Sequence, residues 1–166
     1  MTAYILQDLV DIRKMRENRA AQEAARARSF QDQASEAVTN AKRQLEEFRI
    51  WRTEEKDRLY NTIINQIVHM RDLDRLKEAL AELDEREAMF MKRIADAERQ
   101  LEEAVAVLDK ARAAFREATR NVEKLDEHRE TWETEAAREA ERAADLEMEE
   151  FTGGGRHGNA EDDIAY

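Results

Sequence analysis

The chain of 166 residues carries 28 Lys and Arg against 39 Asp and Glu, a net charge of −11, with 40% of all residues charged. It has no Pro and no Cys, and its four glycines (Gly153, Gly154, Gly155 and Gly158) all lie at the C-terminal end. Turn-rich globular folds, disulfide scaffolds, cysteine zinc clusters and thiol catalysis are thereby excluded, and a breaker-free chain with 27 Ala and 6% aromatics reads as long helix or coiled coil.

No apolar run approaches the ~18–20 residues of a membrane span. Asp8 and Asp11 interrupt the stretch from Met1 to Lys14, so it does not read as a signal peptide. A soluble cytoplasmic protein is expected. The acidic balance disfavours nucleic acid, because phosphate contacts need clustered cations. The charge is uneven, however. Residues 13–28 carry a net +4 and residues 126–151 a net −8, two zones suited to different partners.

Taken in chain order, Ile5, Leu9 and Ile12 form a short apolar seam. Ala20, Ala24, Ala27, Gln31, Ala34, Val38, Ala41, Leu45 and Phe48 follow at steps of four and three, out of phase with the first, so a stutter is expected between Ile12 and Ala20. Leu59, Tyr60, Ile63, Ile64, Ile67 and Val68 mark a wider stripe, expected to plug a bend at 65–69. Asp72 and Asp74 then suit the first turn of a second helix. From Leu73 the 3-4 spacing runs through Leu76, Leu80, Leu83, Glu87, Phe90, Ile94, Ala97, Leu101, Ala104, Leu108, Ala111, Phe115, Ala118, Val122, Leu125 and Arg129 to Trp132. Only Glu87 and Arg129 interrupt it. That length of heptad repeat defines a coiled coil.

The two seams fit each other. If the chain folds back near residue 67, position i faces roughly 135 − i, so Ala34 meets Leu101, Leu45 meets Phe90 and Ala41 meets Ile94. Small residues of one helix then oppose large ones of the other. The expected fold is all-α: a long antiparallel two-helix coiled-coil hairpin over 1–151, with helix 1 at about 3–65, helix 2 at about 70–151, and a flexible acidic tail at 152–166. Residues 133–151 overhang helix 1 without a partner in the molecule, and an unpaired acidic helix frays alone. A slender helix pair encloses no cavity of the kind a small-molecule site uses.

Catalytic patterns are missing. No early glycines form a phosphate loop, and His69, His128 and His157 lack the Glu-x-x-His spacing of di-iron bundles. Ser29 and Ser35 lie far from every His. The carboxylates sit beside Arg and Lys at helical spacing, as solvated charge. No enzyme, cofactor or metal site is expected.

The stretch Phe48-Arg49-Ile50-Trp51-Arg52-Thr53-Glu54-Glu55-Lys56-Asp57-Arg58-Leu59-Tyr60 resembles the signature of the YscO/FliJ central-stalk proteins of type III secretion. So does Asp72-Leu73-Asp74-Arg75-Leu76. The late runs Glu135 to Arg142 and Leu146 to Phe151 are similar to the YscO, or virulence, branch. The likeness covers about residues 4–151. Thr53 stands where Pro is common in the family. The resemblance implies a hairpin that inserts into the hexameric secretion ATPase at the inner-membrane base of the secretion apparatus. It also implies contact with the cytoplasmic domain of the export gate, and some members bind secretion chaperones. On this reading the termini-side half enters the ATPase ring through Arg13, Arg16, Arg19, Arg26, Arg112, Arg116 and Arg120. The bend-side block meets the gate through Trp51, Arg52 and Tyr60. Two other readings stand beside it: an adaptor or chaperone-escort protein that captures a partner helix on the overhang, and a generic scaffold whose coiled coil forms between chains. None of these involves nucleic acid or insertion into a membrane.

Overall fold

The computed structural model describes residues 4–154, which form α1 (Gln7–Asn61) and α2 (Met70–Gly154). No strand occurs among the described residues. The fold is all-α, an antiparallel two-helix coiled-coil hairpin. Of the expected tail, Thr152–Gly154 complete α2, and the rest lies outside the described residues. No described helix is long and apolar enough to cross a membrane.

The helix ends follow from local chemistry. α1 stops at Asn61, four residues before 65. The Thr62 hydroxyl donates to the Leu59 carbonyl at 2.6 Å, and the amides of Ile63 and Ile64 both reach the Tyr60 carbonyl. Asn65 then takes φ 65°. Asn is one of the few side chains that tolerates this left-handed conformation, so it reverses the chain where no glycine is present. α2 begins with half a capping box: the Asp72 carboxylate accepts the His69 amide at 3.1 Å, and the His69 carbonyl accepts the Asp72 amide at 2.9 Å. Within α1 the helix runs unbroken through Thr53, whose hydroxyl bonds back to the Arg49 carbonyl at 3.0 Å.

The chain packs as two compact units. Among the described residues a terminal unit comprises 4–17 and 117–154, and a bend unit comprises 18–116.

In the terminal unit Tyr4, Val10 and Leu125 are buried together, with Leu6 and Trp132 packed against them. The Tyr4 ring lies 5.4 Å from Trp132, and its hydroxyl is hydrogen-bonded with Nδ1 of His128 at 2.7 Å. The expected first seam is displaced: Ile5 is 85% exposed, Leu9 36% and Ile12 45%. The inward positions are Leu6, just before α1, and Val10, Arg13 and Glu17 within it. These continue by the same steps of four and three to Ala20 and Ala24, so α1 needs no stutter. Two of those positions are polar, and each finds a partner across the seam. Arg13 Nη1 donates to the Asn121 carbonyl at 2.8 Å, and the Thr119 hydroxyl donates to Glu17 at 2.9 Å.

In the bend unit the buried side chains are Ala27, Val38, Leu45 and Phe48 of α1 with Leu83 and Leu108 of α2, all members of the expected seams. The Phe48 and Phe90 rings meet at 4.9 Å, and Lys42 pairs with Glu98 at 3.4 Å. The numbers of these partners add to 138 and 140, close to the expected 135.

The bend plug is corrected. Leu59 and Ile63 are half-buried, but Tyr60, Ile64 and Ile67 are exposed by 46%, 56% and 96%. Two helices offer one line of burial, and a stripe wider than that line faces water.

Candidate interaction surfaces

The Trp-Arg block lies on the bend-unit part of α1. Phe48 anchors it: its ring lies 5.6 Å from Trp51 and 4.9 Å from Phe90. The Arg86 guanidinium sits 5.1 Å from the centre of the Trp51 ring, a cation–π contact. Trp51 is thus held on one face and 40% exposed on the other.

Arg52 turns inward. It falls four residues after Phe48, where α1 continues its seam, and its side chain is only 20% exposed. It reaches Glu87, the residue that interrupts the α2 seam, and also Asp84. Glu87 takes a second guanidinium from Arg49 at 3.0 Å. Two polar seam positions that look like defects in sequence therefore pair across the interface, with both terminal nitrogens of Arg52 engaged and only its buried Nε without a partner among the described residues. Such pairs fix register more surely than they add stability. The Arg52 guanidinium is occupied within the hairpin, which leaves Trp51 and Tyr60 as the outward members of the block.

Tyr60 stands near further apolar residues that face water. Besides Ile64 and Ile67, Met70 is 74% and Leu73 39% exposed. Near them a groove of about 480 Å³ is lined by Leu59, Ile63, Val68, Leu76 and Ala79. The signal for this surface was already present, since the stripe is too wide for a two-helix seam. On the turn before it, the Arg58 guanidinium bonded to Glu55 at 2.9 Å holds that carboxyl below its ordinary range.

The basic candidates divide between the units. In the terminal unit Arg13 is half-buried and bonded to Asn121, whereas Arg16 and Arg120 are exposed. In the bend unit Arg19, Arg26, Arg112 and Arg116 are all exposed. Among the described residues, none of these six exposed arginines has a carboxylate within 4 Å. Beyond Trp132, α2 runs on through residues 133–154. Of the side chains described there only Ala136 is even half-buried, and Leu146, Met148 and Phe151 are exposed by 60%, 69% and 88%.

Fold and surfaces together define a two-helix coiled coil that presents aromatic, aliphatic and cationic side chains to solvent. The family model of type III secretion protein YscO matches residues 6–153, and the chain belongs to that family. The crystal structure of YscO from Vibrio parahaemolyticus is similar, with a TM-score of 0.80 and 26% identity over 89% of this chain and 92% of that one. The YscO homolog CT670 from Chlamydia trachomatis has the same fold, with a TM-score of 0.76 and 18% identity over 92% of this chain and 94% of that one. No curated protein sequence matches the chain.

Proposed function

We propose that this type III secretion protein is a non-enzymatic central stalk. On this reading it inserts into the hexameric secretion ATPase at the cytoplasmic face of the inner membrane and links it to the export gate. The observation that carries the reading is the set of exposed arginines without carboxylate partners among the described residues, in a chain whose net charge is −11. Cations kept free against that balance are suited to an acidic partner surface, where complementary charge sets orientation and rate of encounter. Arg16, Arg19, Arg26, Arg112, Arg116 and Arg120 are the ring contacts on this reading. Arg13 supports them by anchoring α1 to Asn121. The gate contact falls to Trp51 and Tyr60, joined by Ile64, Ile67 and Met70, with Arg52 holding the block in register.

The test is co-purification with a hexameric secretion ATPase and measurement of its hydrolysis with and without this protein. Stimulation is expected. Arg16→Glu with Arg19→Glu reduces it, and unchanged stimulation removes the ring assignment. For the gate, Trp51→Ala and Tyr60→Ala weaken retention by the gate's cytoplasmic domain in a pull-down, and full retention discards that contact.

The unpartnered helix at 133–154 supports the chaperone-adaptor reading as a second possibility. Deleting 133–166 separates the two. An adaptor loses substrate or chaperone binding, whereas a stalk, whose ring and gate contacts lie outside the deleted segment, retains its stimulation of the ATPase and its retention by the gate.

A further inference from the structure

The seam of the bend unit has two edges, and they differ in kind. One is marked by the Lys42–Glu98 ion pair and by Arg49, which bonds to Glu87. The other is marked by Trp51 under Arg86. Steps of seven from Trp51 lead to Gln44, Ala37 and Phe30 on α1. Steps of seven from Arg86 lead to Arg93, Gln100 and Val107 on α2. All eight side chains are exposed, Phe30 by 66% and Val107 by 56%. The α1 row carries no charge, in a chain where 40% of residues do. At the Trp51 end a groove of about 390 Å³ opens between Gln44, Glu47, Trp51, Arg86 and Arg93, with Phe48 and Phe90 beneath; the Glu47 carboxylate pairs with Arg43 at 3.9 Å, which leaves the two arginines as the groove's unpaired charges. Arg86 and Arg93 lie over aromatic rings, and neither has a carboxylate within 4 Å among the described residues. An edge that is apolar at one end and cationic at the other can receive a third helix laid along a two-helix coiled coil.

The complementary helix exists in the same chain. Residues 133–154 carry eight carboxylates against Arg138 and Arg142. Ala136, Ala140, Ala144, Met148 and Phe151 recur every three or four residues as one face, with Glu141 at its border; Glu147 and Glu133, the latter about five turns before Phe151 and paired with Arg129 at 3.0 Å, add charge to the same face. At ~1.5 Å per residue this helix and the edge from Phe30 to Trp51 are both about 32 Å long.

We infer that helix 133–154 of a second copy docks on the Phe30–Trp51 edge. It lies antiparallel to α1, with Met148 and Phe151 against Phe30 and Val107, Glu141 beside Arg93 and Glu133 beside Arg86. The docked pair is a self-associated form of the protein, distinct from the ATPase and gate contacts, although it shares Trp51 with the latter.

Sedimentation equilibrium of the full chain, from about 10 to about 500 µM, brackets a weak association of this kind. The wild-type chain dimerises, and the dimer weakens as salt screens the ion pairs. Phe30→Gln with Val107→Gln weakens it by about tenfold, the loss typical of a removed apolar anchor. Arg86→Glu with Arg93→Glu abolishes self-association, as does Glu133→Lys with Glu141→Lys, and an equimolar mixture of these two charge-reversed chains associates again. Circular dichroism reports that each exposed-residue variant remains helical. A wild-type chain that stays monomeric throughout overturns the inference. So does association indifferent to Phe30 and Val107, or a mixture that stays dissociated. Neither Phe30 nor Val107 belongs to the proposed gate contact, so failure here leaves that reading standing.

Discussion

Glu87 is the residue on which the bend-unit interface turns. It sits at a seam position, 16% exposed at its side chain, and accepts from both Arg49 and Arg52. A carboxylate so placed costs desolvation that only its partners offset. Glu87→Ala leaves Arg52 facing apolar neighbours without its main partner, and a loss of about 1–3 kcal/mol in urea unfolding is expected. The double change Arg52→Met with Glu87→Leu fills the same space without charge and is expected to be neutral or stabilising. A double variant as weak as Glu87→Ala alone would show that the pair supplies stability itself, and not register. Asn65 gives a second residue-level expectation. Its φ of 65° suits Gly equally, so Asn65→Gly leaves the unfolding midpoint nearly unchanged. Asn65→Val lowers stability by roughly 1–2 kcal/mol, the strain of a left-handed conformation on an ordinary side chain.

At the scale of the helices, the corrected N-terminal register separates two otherwise similar residues. Val10 is 1% exposed and Ile12 45%. Val10→Ala is expected to cost roughly 2 kcal/mol, and Ile12→Ala to stay within about 0.5 kcal/mol. Denaturant midpoints that reversed this order would restore the out-of-phase seam. The same stretch shows why legibility varied. From Leu73 onward the seam was readable because large apolar residues hold nearly every inward position, and its buried members Leu83, Leu108, Val122 and Leu125 are those the spacing selects. At the start of α1 the inward positions include Arg13 and Glu17, which look outward by type and are inward by partner, so Leu9 and Ile12 drew the register off. Arg52 and Glu87 pose the same difficulty. A polar seam residue becomes interpretable only when its mate on the other helix is known. The fold was therefore open to reading from spacing, whereas division of the site residues into those held inside and those left outside required the pairing.

Over the molecule as a whole, the two units and the α2 extension differ in what holds them. The bend unit buries six hydrophobic side chains among the described residues, and the terminal unit a smaller set around Val10 and Leu125. Residues 133–154 have their own backbone hydrogen bonds, the Arg129–Glu133 ion pair and hydroxyl-to-carbonyl bonds of Thr134 and Thr152, but almost no burial and an excess of closely spaced like charges. Helical propensity alone gives marginal stability in water, and local opening is cheapest where buried contacts are fewest. Amide exchange at a concentration too low for self-association should therefore rank the three segments. Amides of 133–154 exchange fastest, those around Val10 and Leu125 at intermediate rates, and those around Leu45 and Leu83 slowest. Added salt slows exchange in 133–154 more than in either core, because it screens repulsion among the eight carboxylates. The consequence for function is quantitative. A partner that orders this segment pays part of its binding free energy into helix formation, so stabilising the segment in advance tightens binding without adding a contact. Replacing the solvent-facing Thr134 by Ala, a better helix former by a few tenths of a kcal/mol, should slow exchange there and lower the dissociation constant of whichever partner uses the segment. Slower exchange without any change in affinity for either the ATPase or a second copy would show that 133–154 is a solvated extension, and that recognition rests on the two packed units alone.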